Sequence, residues 1–116
     1  MTTHFSTLID KTFTMLGRWR GQRAIMLELT RSHASLRIIL GGDDYLTTNL
    51  VIACIGPIYI CGPTQWKDAA IEIQTITLDS GREGVVIQDE ANGVRIVAES
   101  VEVRENVKLQ NAPPRL

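Results

Sequence analysis

The rhythm of apolar positions changes once along the chain. Before Gly17, Phe5, Ile9, Phe13 and Leu16 recur at helical spacing, Leu8 and Met15 widen the stripe, and Asp10, Lys11 and Thr14 lie off it. Thr2, Thr3 and Ser6 supply N-cap chemistry and Gly17 a C-terminal stop, so the pattern predicts an amphipathic helix from about Thr3 to Leu16. Its narrow stripe needs cover on one side only, which places this N-terminal helix across a sheet.

From Arg18 onward the period is two, and turn-forming clusters interrupt it about every ten residues. Ala24 to Arg31 reads as a strand with Ile25, Leu27 and Leu29 on one face. Ser35 to Leu40 repeats the alternation with Leu36, Ile38 and Leu40. After Gly41-Gly-Asp-Asp44, a third strand runs from Tyr45 to Ile55. Gly56-Pro57 is read as a break, Ile58 to Cys61 as a short fourth strand, and Thr64 to Asp68 as a loop or single turn.

Ala70 to Leu78 is the fifth strand; Ile71 and Ile73 face opposite to Ile76 and Leu78, which predicts a bulge. Val85 to Asp89 and Val94 to Arg104 follow, joined at Asn92-Gly93, the strongest hairpin dipeptide present. Parity changes again between Ala98 and Val101, as a bulge near Glu99-Ser100 or a strand covered on both faces would require. The fold class expected is therefore α+β: the helix packed on a mostly antiparallel, meander-like twisted sheet or partly open barrel of six or seven strands. Residues 1–105 form one domain and residues 106–116, with Pro113-Pro114, a loosely held tail.

Composition narrows the class of partner. At 116 residues with 44% hydrophobic and 22% charged residues, the chain has enough apolar material for one core and folds unaided. A net charge of -1 supplies no field for nucleic acid or an anionic membrane. The longest apolar run, Leu50 to Cys61, falls short of the roughly 20 residues of a membrane-spanning helix. No leader-like segment opens the chain, so a reducing, cytoplasmic setting is expected, with Cys54 and Cys61 as thiols. Their spacing fits neither a redox pair nor a zinc site, and no glycine fingerprint for a nucleotide occurs; neither cofactor nor metal is expected.

Six residues are candidates for a ligand site or interface, and none for catalysis. Trp66 follows a Gly-Pro break and either folds onto the core or lines a pocket or subunit contact, to which Tyr45 and Tyr59 would add phenols. Trp19 sits between Arg18 and Arg20, where it either stacks on a base or caps the core beneath the helix while the arginines reach outward. His33 in a turn, with Asp43 and Asp44 in the next, would make a histidine–carboxylate pair if their strands are neighbours; solvated turn residues are the plainer reading.

Two functions follow. The first is a non-catalytic binding or interaction module that self-associates, because Met26, Ile39, Ile76, Leu78 and Val97 oppose the apparent core residues of their strands and need cover. The second is a small enzyme or ligand-binding barrel with a pocket near Trp66, Tyr59 and His33. An unidentified protein or small molecule is the other partner class.

Overall fold

The computed structural model describes residues 12–30, 35–41 and 49–105. Helix α1 covers residues 12–18 and precedes seven strands: β1 (Arg23–Thr30), β2 (Ser35–Gly41), β3 (Asn49–Cys61), β4 (Gln65–Trp66), β5 (Glu72–Thr77), β6 (Glu83–Asp89) and β7 (Val94–Glu105). They form one antiparallel sheet in the order β4-β1-β2-β3-β7-β6-β5. The antiparallel sheet is as expected, but it is not a simple meander. β1-β2-β3 and β5-β6-β7 are each consecutive, and the two groups join where β3 pairs with β7 along its whole length.

Gly56-Pro57 does not end a strand; β3 continues through it for thirteen residues. Its first half pairs with both β2 and β7, up to Ile55, and its second half with β7 alone. Gly56 takes φ 64, a left-handed value that favours glycine, and a Cβ there would lie 2.7 Å from Oε1 of Glu99. On either side of this kink the inward set shifts by one residue in both strands. Cys54 and its ladder partner Val101 belong to the core on one side, and Ala98, the ladder partner of Pro57, on the other. The register slip expected near Glu99-Ser100 falls instead on β3, between Pro57 and Tyr59. The bulge expected in β5 is absent: its pairing with β6 is continuous from Glu72 to Thr77, so Ile73 and Ile76 point to opposite faces of a regular strand.

One apolar core fills the inside of the curved sheet. Ile38, Leu40, Leu50, Ile52, Ile87 and Ile96 are its fully buried members, and Leu16 of α1 and both tryptophans join it. The inward face of β1 is Ala24 and Met26, opposite to the expected one, because the register sets Met26 against Ile38. Ile25 and Leu27 instead pack with Ile39 and Val51 in a second cluster on the other face. Both faces of β1 are apolar, so alternation alone did not distinguish them. Met26 and Ile39 are thus buried within a single chain and supply no surplus for a partner.

The helix departs from its expected stripe. Leu16 is buried and Met15 packs on the core, but Phe13 is 73% exposed; the helical run also passes Gly17 and ends in 3-residue turns from Trp19 to Leu16 and Arg20 to Gly17. Phe5, Leu8 and Ile9, and the tail at 106–116, lie outside the described residues.

The sheet curls toward itself without closing. On one flank, residues 64–69 run beside β1: Met26 N–H donates to Thr64 O at 2.7 Å, Gly21 N–H to Ala69 O at 2.7 Å and Ala69 N–H to Gln22 O at 2.9 Å. On the other, Asp89 ends β6 as a fully buried carboxylate. Its Oδ2 accepts the indole N–H of Trp66 (2.9 Å) and the backbone N–H of Ala70 (2.8 Å), and its Oδ1 accepts Nδ2 of Asn92 (3.0 Å). A buried carboxylate is tolerated only with such donors. Asp89→Ala would strand the indole and the Ala70 amide, and should cost about 3 kcal/mol in urea unfolding, with Asp89→Asn costing less because one carbonyl acceptor remains. A loss under ~1 kcal/mol for the alanine variant would show that the carboxylate does not hold the sheet's two flanks together.

Candidate interaction surface

Beyond Ile55, β3 has β7 on one side and no strand on the other among the described residues. This free edge is apolar. Ile55 is 47% exposed, Ile58 59%, Tyr59 50% and Ile60 44%, and with Phe13 they are the large hydrophobics most open to solvent among the described residues. From Ile55 to Pro63 the chain carries no charged residue. Natural edge strands are ordinarily guarded by lysine, inward charge or a covering element. Among the described residues the guards here are Pro57, the kink at Gly56 and the turn at Gly62, whose φ is 136.

Local chemistry on this edge centres on Tyr59 and Cys61, which alternate onto one face of β3. Hydrogen bonding to the Cys61 side chain, then its charge and partial desolvation, push the Tyr59 phenol above its ordinary value of 10.0, while Arg95 opposes them. Arg95 stands directly across the ladder from Cys61 and donates to Oε1 of Gln88 at 3.1 Å. Cys61 is an exposed free thiol, whereas Cys54 is buried in the core, where burial pushes its thiol up to about 12.

Of the six residues singled out from sequence, three are described. Trp66 is buried, its indole held by Asp89. Trp19 is buried beneath α1, with Arg18 and Arg20 exposed beside it. Tyr59 is on the free edge of β3. His33, Asp43 and Tyr45 lie outside the described residues. The edge itself was missed as a unit, although Ile55, Ile58 and Ile60 flanking Tyr59 without a single charge is a signal present in the sequence.

A carboxylate also holds the second tryptophan. Glu105, at the end of β7, accepts Nε1 of Trp19 (2.8 Å) and Nε of Arg18 (2.8 Å) on Oε2, and Nη2 of Arg18 (2.5 Å) on Oε1. The Arg18 hydrogen bonds hold the Glu105 carboxyl below its ordinary value of 4.5; desolvation works against them and the indole N–H assists. The Arg18 guanidinium is raised by the same pairing.

A groove of about 610 Å³ opens elsewhere, between α1 and the β5-β6-β7 half of the sheet, and none of the described candidates Trp66, Trp19 and Tyr59 lines it. No group of three or more histidine, cysteine, aspartate or glutamate side chains is arranged to hold a metal ion among the described residues. No helix among them is long and apolar enough to cross a membrane. Compared with family models, curated proteins and solved structures, the chain matches none.

Two outcomes test these placements. In the native protein at pH 8 a thiol reagent should modify Cys61 alone, and Cys54 only after unfolding; rapid loss of both thiols would contradict the burial of Cys54. Because the folded carboxyl of Glu105 titrates below its unfolded value, its contribution to stability is complete above about pH 5 and is lost as pH falls through the lowered value. Glu105→Gln should therefore narrow its deficit relative to the native protein as the pH drops; a deficit independent of pH would refute that linkage.

Proposed function

We propose that the protein is a small, soluble, non-catalytic interaction module of the cytoplasm that self-associates through the free half of β3. The observation that carries this reading is the uncharged, half-exposed run Ile55 to Cys61, on an edge that β2 has left. Unpaired backbone groups on such an edge accept another strand, and the flanking apolar side chains add area to the contact.

A second copy fits this edge by symmetry. A twofold axis perpendicular to the sheet lays two β3 edges antiparallel and keeps each face on its own side. Only residues of equal parity then meet, so Tyr59 faces Tyr59 of the second copy, or Ile60 faces Ile60. Neither register opposes like charges, since the segment has none. Two carboxylates that would be obvious candidates for acid–base work, Asp89 and Glu105, are instead engaged by indole N–H groups in holding the fold.

Sedimentation velocity tests the reading directly. The native chain should sediment as a dimer at tens of micromolar, and Ile58→Lys or Ile60→Lys should raise the dissociation constant by about tenfold or more. Both side chains are half-exposed, so thermal melting of the variants' monomers should stay close to native. A monomer up to roughly 100 µM, or a dimer indifferent to both lysines, would rule out this edge as the contact.

A further inference from the structure

We propose that the groove between α1 and the β5-β6-β7 half of the sheet binds a small organic cation with an apolar body, an alkyl- or arylamine. At about 610 Å³ the groove falls within the range of small-molecule sites. Leu16, Ile73, Val85 and Val101 make its walls apolar, and Phe13 of α1, with its ring 73% exposed, lines it as well. Among the described residues, the charged ones lining it are Glu83 and Glu99. Arg82, next in sequence, is not among the lining residues, and neither glutamate is in an ion pair among the described residues.

That combination selects by chemistry. Apolar walls favour a hydrocarbon body by burial, two carboxylates favour a positive over a neutral or negative head, and an exposed aromatic ring adds a cation–π surface. Thr12, Thr75 and Ser100 line the groove as well, and a hydroxyl can accept from an ammonium. An anionic amphiphile of the same length meets like charge instead. The groove is lined by none of Ile55 to Cys61, so this site stands or falls independently of self-association.

A matched series of one chain length tests it: octylammonium, 1-octanol and octanoate, each titrated into the full chain below micellar concentration and followed by amide chemical shifts. Octylammonium should shift Ile73, Thr75 and Val101 and bind about tenfold more tightly than octanol, with octanoate weakest. Glu83→Gln with Glu99→Gln, both exposed positions, should leave the melting temperature unchanged and bring octylammonium to the level of octanol. Equal binding of the three probes, a preference unaffected by the double variant, or shifts confined to residues outside the groove would overturn the proposal.

Discussion

The hold of Asp89 on Trp66 and Ala70 is the interaction on which the shape of the sheet depends. β4 and β6 lie near opposite ends of the strand order, and nothing in a regular ladder brings those ends together. A single buried carboxylate does so by gathering donors from β4, from the segment leading into β5 and from the turn after β6. Because the indole donor is buried and the other two are partly so, loss of the acceptor leaves several groups short of a partner at once. Glu105 repeats the device with Trp19 and Arg18, but nearer to solvent, where screening makes it weaker.

With the flanks fixed in this way, β3 and β7 become the spine that both halves of the sheet share. Their joint kink lets β7 serve the core with two parities, Val103 and Val101 on one side of it and Ala98, Ile96 and Val94 on the other. Pairing with β2 reaches Ile55, next to the kink, and the exposed edge lies beyond it. The site proposed for self-association is therefore a by-product of how the core is divided, and the groove beneath α1 borders the other half of the same division.

Much of this was written in local sequence, and the rest in contacts that local sequence does not encode. β2, β6 and the turn at Asn92-Gly93 are legible because alternation and turn chemistry act over a few residues. β3 was divided at Gly56-Pro57 because that pair normally stops a strand; here the strand has already lost its β2 neighbour, so a proline without an N–H is accommodated at an edge. β1 offers apolar residues on both faces, and only the register against β2 decides between Met26 and Leu27. Trp66 and Asp89 are 23 positions apart, beyond the reach of any periodicity argument, and the free edge appears only once β2 is known to end beside Ile55. Phe13 carries the helical period and is nevertheless exposed, so period alone did not reveal which side of α1 meets the sheet.

The order of synthesis gives the kink a further significance. Leu50 pairs with Glu105 and Cys61 with Arg95, so the thirteen-residue, uncharged β3 leaves the ribosome well before the strand that covers it. During that interval it is a long, uncharged, apolar stretch of the kind that suits cross-β stacking with its neighbours. Gly56 and Pro57 divide it into two shorter runs, so the step that bends the finished strand also acts as a gatekeeper against amyloid-like pairing while the chain is incomplete.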